Sequence, residues 1–393
     1  MKDNLLIPFS IGHCANDLVP IAMYIIIPAF GTAMGLSPAK IGLLFMIHNL
    51  SAIAYFPAGL MADHSPNRGV LLTATFFWVG VGYFIASFAD HFWMFAILIA
   101  VAAMGDAFWH PLATAVLTQM NKSRRAFALG MHAIGGNISE VIALPAAGFF
   151  IMLWDWKTAI QLMVLPTLLM GCIFIFIAPK VPRNSNSQFT RSDFTQIWNT
   201  WTTVAGIRVI ALFTAYNMAL FAITTMTPLY LRSNHGFDWM MTALLLAVMM
   251  LPGALLQPWV GKVSDRLGRR PLILLGNSVA AGAALTAGLS LSFTLALVGL
   301  GLALTVLVSI RPVLLAAAVD HSAGREGASL GLTFAFMDGF AASSAVLAGL
   351  VGQKDLSNAF LLASGFSLIA VVLALAIPRG RHPDGGTLPE IAR

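Results

Sequence analysis

Charge is what this sequence is shortest of. Only 10% of its 393 residues are Asp, Glu, Lys or Arg, and 58% are hydrophobic, whereas a soluble domain carries about 25% charged residues. That balance excludes a water-soluble fold. Cysteine is scarce too, and because Cys14 and Cys172 both fall inside apolar stretches, neither a disulfide framework nor a zinc knuckle has support. Enzyme signatures are missing as well: no nucleophile elbow, Walker loop, dinucleotide fingerprint or HExxH run stands in its proper context. The chain is expected not to be an enzyme and to need no cofactor. The net charge of +6 is scattered over short loops rather than gathered on one face, so nucleic acid is not an expected partner.

What is present in abundance is apolar sequence in long runs. A spanning helix needs about 20 residues, and such runs occupy about 6–34, 39–62, 69–89, 92–119, 126–154 and 158–178, then 204–231, 239–260, 271–291, 293–319, 328–352 and 356–378. They predict an all-α membrane protein with twelve transmembrane helices. The first run continues without a small-residue cleavage site, so it reads as a span rather than a removable leader. Lys and Arg concentrate on cytoplasmic loops. With alternate loops assigned to opposite sides, one side gathers Lys2, Arg68, Lys122, Arg124, Arg125, Lys180, Lys262, Arg266, Arg269 and Arg270 among others, and the second holds Lys40, Lys157, Arg232 and Lys354. Both termini are therefore predicted to be cytoplasmic.

The chain also repeats itself. Gly59 to Asp63 (GLMAD) returns as Gly261 to Asp265 (GKVSD), His110-Pro111 as Arg311-Pro312, and Arg124 to Gly130 (RRAFALG) as Arg325 to Gly331 (REGASLG), each about 201 residues on. Six spans per copy is an even number, so the copies form two six-helix bundles related by a parallel pseudo-two-fold axis along the membrane normal. The expected organisation is an N-terminal bundle over 1–180, a linker over 181–203, a C-terminal bundle over 204–379 and a polar cytoplasmic tail over 380–393. Within the linker, Phe194, Ile197, Trp198 and Trp201 recur at helical spacing. They predict an interfacial helix on the cytoplasmic leaflet, the alternative being a longer seventh span.

Gly261 to Arg270 (GKVSDRLGRR) resembles the loop signature of the major facilitator superfamily, which joins the second and third helices and recurs between the eighth and ninth. The first copy, Gly59 to Arg68 (GLMADHSPNR), keeps Gly59, Asp63 and Arg68 but has His64 and Pro66 where the pattern has a basic residue and Gly. Within that superfamily, His13-Cys-Ala-Asn16-Asp17, His110-Pro111 and Gly135-Gly136-Asn137 are similar to the fosmidomycin-resistance group of drug exporters. The resemblance implies the major facilitator fold, a bacterial inner membrane and proton-driven export of small compounds. Asp106 and Arg311 lie outside the group's pattern. It also implies gating by Gly59, Asp63, Arg68, Gly261, Asp265, Arg266 and Arg269; independently, an acid at a helix end can meet a basic side chain or a neighbouring helix N-terminus.

Ionisable residues well inside spans are His13, Asp17, His48, Asp106, His110, His132, Glu140, Arg311 and Asp338. Spans three, six, nine and twelve have none, and in the superfamily these are the peripheral helices. A charge at the bilayer centre costs roughly 2.5 to 3.5 kcal/mol on insertion scales, so a water-filled pathway should offset it. His13 and Asp17 are four residues apart, as are Asp106 and His110, and such residues share a helix face. Burial disfavours the charged form of either group whereas pairing favours it, so a partly solvated pair can exchange one proton. Asp17 is the leading candidate for the coupling acid, with His13 tuning it; a static hydrogen-bonded pair is the alternative. Asp106 and His110 form a second proton site or a substrate contact.

Tyr24 continues the His13–Asp17 stripe towards the cavity. His132 and Glu140 stand about 80° apart on one helix, so both cannot point squarely at one ligand, and Glu140 can face a neighbouring helix instead. Arg311 presents a planar fork suited to carboxylate or phosphonate, unless Asp338 holds it in a permanent ion pair. Asn137 is the repeat equivalent of Asp338, and Asn217 on the seventh span adds a neutral hydrogen-bonding group. His48 reads as a packing histidine.

The expected function is a proton-coupled antiporter that exports a small organic compound, anionic or drug-like, by alternating access. Its expected partners are that substrate, protons and membrane lipid, with the chain acting as a monomer driven by the proton-motive force. One alternative is a proton symporter or anion uptake carrier centred on Arg311. A second is a divalent-metal transporter using His13, Asp17, Asp106, His110 and His132, whose imidazole and carboxylate groups suit transition metals; without a fixed ligand spacing no metal is assigned.

Overall fold

The computed structural model describes residues 5–121, 125–183, 195, 198–321 and 326–376. Among these, twelve helices are long and apolar enough to cross a bilayer. They are α1 (Leu6–Ala33), α2 (Pro38–His64), α3 (Arg68–Ala86), α4 (Phe92–Met120), α5 (Arg125–Leu153), α6 (Trp156–Ile177), α7 (Val204–His235), α8 (Trp239–Leu267), α9 (Arg269–Leu289), α10 (Phe293–His321), α11 (Glu326–Ala341, continued by Ser343–Val351) and α12 (Ser357–Leu375). The two bundles are α1–α6 and α7–α12.

Side chains close the helix ends where the chain turns back. At the starts of α6 and α8, Asp155 and Asp238 accept from the Thr158 and Met241 amides, each at 2.7 Å, satisfying donors that have no intrahelical partner. α7 stops at Gly236, whose φ of +69° is the left-handed conformation that favours glycine. α2 departs from the unbroken span expected of it. Residues Leu50–Ala54 wind as a tighter 3-10 turn before helix resumes at Tyr55, and Pro57 supplies the reason, because it has no N–H to offer the carbonyl of Ile53.

The loop-signature residues lie at one end of the molecule, here the signature end; the α1–α2 connection lies at the far end. The bundles join through α2 against α11 and α5 against α8, pairs that the repeat interchanges. Glycine lets α2 and α11 touch: a Cβ on Gly42 would stand 2.1 Å from the Ala345 carbonyl oxygen, and one on Gly349 would stand 2.4 Å from that of Pro38. One continuous apolar core links the far-end half of the N-terminal bundle to the C-terminal bundle. The signature end of the N-terminal bundle has a separate core around Phe9, Phe76, Trp109 and Phe174. The bundles are thus joined at the far end, and α2 meets α11 again in the signature half, where a Cβ on Gly331 would stand 2.8 Å from the Tyr55 carbonyl oxygen.

In the linker, Thr195 and Trp198 to Trp201 are helical, with Trp201 buried and Trp198 exposed. Phe194 and Ile197 lie outside the described residues, as do the tail over 380–393, Lys2, Lys122 and Arg124.

Candidate functional site

The site begins with two glycines. A Cβ on Gly135 would stand 1.9 Å from the Ser10 carbonyl oxygen and one on Gly136 would stand 2.8 Å from the His13 ring, so only glycine lets α5 lie so close on α1. That approach fixes the first imidazole. Ser10 donates to the Met131 carbonyl at 2.7 Å, His13 Nδ1 reaches the His132 carbonyl at 2.7 Å, and the rings of His13 and His132 stack with centroids 4.0 Å apart. On α4, Pro111 has no N–H for the Ala107 carbonyl. The Thr114 hydroxyl there donates to the His110 carbonyl at 2.8 Å.

The two acid and imidazole pairs legible in the sequence meet as one cluster. His13 Nε2 lies 3.2 Å from Asp17 Oδ2. Across the interface between α1 and α4, His110 Nε2 stands 3.8 Å from Asp17 Oδ1 and 3.6 Å from Asp106 Oδ1. Asn16 closes the row by donating its amide to Asp106 Oδ1. His110 is therefore shared between two carboxylates, a correction to the reading of two separate pairs. The cluster is half-buried, with side-chain exposures between 12% and 27%.

Hydrogen-bond bookkeeping constrains its protonation. A carbonyl oxygen can only accept, so the 2.7 Å contact to His132 requires the hydrogen of His13 to be on Nδ1. Nε2 of a neutral His13 then carries a lone pair, and it faces a carboxylate oxygen that carries another. A bond across that 3.2 Å gap requires one more proton, held by the imidazolium or by the acid. Asp17 Oδ1, buried and without a hydrogen-bond partner, faces His110 as the place to which such a proton can move.

The C-terminal bundle brings up Arg311 from α10. Its field reaches Asp338 and Tyr216 and, from the N-terminal bundle, Glu140 and Tyr55. The ion pair with Asp338 that the sequence allows is not formed among the described residues: Asp338 accepts from Asn217 at 2.6 Å, and the guanidinium makes no direct hydrogen bond. Glu140 keeps Oε2 buried and unpartnered, on the Arg311 side rather than beside His132. Tyr24 joins the two bundles, its ring 6.4 Å from Phe221 on α7, and Asn137 is half-buried on α5. His48 bonds Tyr83 at 2.7 Å, apart from the cluster.

Sequence reading missed Asn16 and Tyr55 as site residues. Asn16 precedes Asp17 and so points about 100° away from it, towards Asp106. Tyr55 resumes α2 after its 3-10 turn, where its ring lies 6.2 Å from His110 and 5.5 Å from Phe334 on α11. No periodicity foretells a residue placed by a break.

At the signature end, Arg269 on α9 bonds Asp265, Ser264 at 2.7 Å and, at 3.3 Å, Asp320 on α10. Arg68 does the same in the first copy, donating to Gln119 and, at 3.1 Å, to the Pro182 carbonyl. Gln119 and Asp320 are repeat equivalents, one neutral and one charged. Gly59 is buried, Asp63 and Arg266 are exposed, and Gly261 has open space beside it.

A family model described as Major Facilitator Superfamily matches residues 9–343 and 242–392. A probable sulfoacetate transporter of Cupriavidus necator, SauU, is 26% identical over 286 residues, which cover 67% of this chain and 64% of that protein. A probable sugar efflux transporter of Haemophilus influenzae is 24% identical over 174 residues, 44% of this chain and 43% of that one. The chain thus spans less than two thirds of either relative. An uncharacterized transporter of Bacillus subtilis, YfnC, is 24% identical and matches 95% of this chain and 92% of its own. Among solved structures, a bacterial homolog of the human lysosomal transporter Spinster, inward-facing and unoccupied, gives a TM-score of 0.78 at 15% identity, covering 96% of each chain. The nucleoside transporter NupG gives 0.74 at 13% identity, covering 95% of this chain and 100% of its own. These likenesses carry the fold.

Proposed function

We propose, from the premise that the chain belongs to the Major Facilitator Superfamily and is an integral membrane transporter rather than an enzyme, that it is a proton-coupled antiporter exporting a small organic compound. The observation that supports proton coupling is the contact of His13 Nε2 with Asp17 Oδ2 at 3.2 Å, which needs a proton that His13 Nδ1 cannot supply. Asp17 is the coupling acid, His13 fixes its geometry, and His110 links it to Asp106. With both termini cytoplasmic, the fused far end is periplasmic. Rocking of the two bundles about the central site then carries the cluster from one side to the other.

Export is favoured by the efflux relatives and by the resemblance of His13 to Asp17 and of Gly135 to Asn137 to fosmidomycin-resistance exporters. The substrate class is proposed from Arg311, whose guanidinium has no direct hydrogen-bond partner among the described residues and suits an oxyanion; a relative named for sulfoacetate is consistent with that. Asn217, Asp338, Glu140, Asn137 and Tyr24 would complete the binding site, and Arg269 and Arg68 would latch the cytoplasmic ends of their bundles. The same Arg311 favours a second reading, uptake of a small anion. Direction separates them. Inverted vesicles given an acid interior should accumulate labelled sulfoacetate or sugar if the protein exports it; loss of preloaded label on acidification would establish uptake instead.

A further inference from the structure

The same cluster has the makings of a metal site. One ligand atom each from His13, Asp17 and His110 lie within 4.8 Å of one another. Tetrahedral coordination at the usual bond lengths near 2.0 to 2.1 Å spaces ligand atoms about 3.3 Å apart. The His13 Nε2 to Asp17 Oδ2 distance of 3.2 Å already matches that edge, and His110 Nε2 lies 3.8 Å from the other oxygen of the same carboxylate, Oδ1. Two ligands come from one turn of α1, so a rigid helix presents them together.

The second shell is in place. A metal-ligating imidazole almost always donates its other N–H to a carbonyl or carboxylate, which fixes the tautomer, and His13 Nδ1 does so to the His132 carbonyl at 2.7 Å. One feature points at a missing ligand: Asp17 Oδ1 is buried with no hydrogen-bond partner. His110 is the most exposed of the three, at 27%.

We propose that His13, Asp17 and His110 bind one divalent transition-metal ion of the zinc, cobalt or nickel class from the central cavity. Two imidazoles and one carboxylate suit those ions, whereas calcium takes six to eight oxygens and magnesium a near-octahedral oxygen shell. All three ligands belong to the N-terminal bundle, on α1 and α4, so binding needs no movement of one bundle against the other. It stands on this geometry whether or not the protein couples transport to protons.

The test uses the purified full-length protein in detergent, affinity tag removed, without substrate or gradient. Cobalt should give the intense ligand-field absorption of a tetrahedral site at one ion per chain, and zinc should displace it while magnesium and calcium do not. His110→Gln, which keeps a polar group of similar size, should weaken cobalt binding by at least about tenfold. His321→Gln, at the signature end, should leave it unchanged, and metal-free melting temperatures should show that both variants fold. An octahedral spectrum, no saturable binding, or equal affinity in wild type and His110→Gln would each overturn the proposal.

Discussion

Asn16 shows how a single neutral side chain can organise charged ones. Its amide donates to Asp106 Oδ1, which leaves His110 at 3.6 Å from Asp106 and 3.8 Å from Asp17, too far for a strong bond to either and close enough for a proton to choose between them. Asn16→Ala removes that donor from a carboxylate with 16% side-chain exposure. It should lower stability by about 1 to 3 kcal/mol, seen as a lower melting temperature, and should slow proton-driven transport more than substrate binding. Gly136→Ala acts on the other side of the cluster. Its Cβ would fall 2.8 Å from the His13 ring, so the ring must leave the His132 carbonyl, and gradient-driven accumulation should fall sharply while the protein still folds and reaches the membrane.

At the scale of elements, the long apolar runs were readable because a bilayer demands a length that composition reveals. Span ends agree with the helices closely at α1 and α5. The expected end of α8 at 260 falls short of Leu267, because the signature GKVSDRL is polar yet helical, held by Arg269 and its partners. Breaks were less legible. Pro57 marks the 3-10 turn in α2, but Pro20, Pro28 and Pro145 sit inside unbroken helices, so proline alone does not distinguish the two outcomes. The residues of the cluster were likewise visible one by one as costly groups in apolar runs. Their merger was not, because it depends on how α1 meets α4, and Arg311 and Asp338 stand apart for the same reason. The latch carries a prediction of its own: Asp320→Asn replaces one of the two charged partners of Arg269, the one on α10, by the neutral kind that Arg68 already has in Gln119. If the two copies latch unequally, this variant should change transport rate while Gln119→Ala changes it less, both measured in the same vesicles.

At the scale of the whole molecule, the bundles are joined at the far end, and alternating access requires that join to open. Gly148 on α5 meets α8 there, its added Cβ falling 2.6 Å from the Ala243 Cβ. Disulfides hold Cβ atoms about 3.5 to 4.5 Å apart, so Gly148→Cys with Ala243→Cys should cross-link after a small separation of the helices. With Cys14 and Cys172 replaced by serine, oxidation should stop transport and reduction should restore it. Unimpaired transport in the oxidised double variant would mean that the far end need not open. The central claim is that Asp17 carries the coupled proton, and the most direct measurement compares wild type with Asp17→Asn in inverted vesicles, following uphill accumulation under a proton gradient alongside exchange at equal substrate concentrations. The account predicts that the variant loses uphill accumulation and keeps exchange. A variant that still concentrates substrate at the expense of the proton gradient would contradict it.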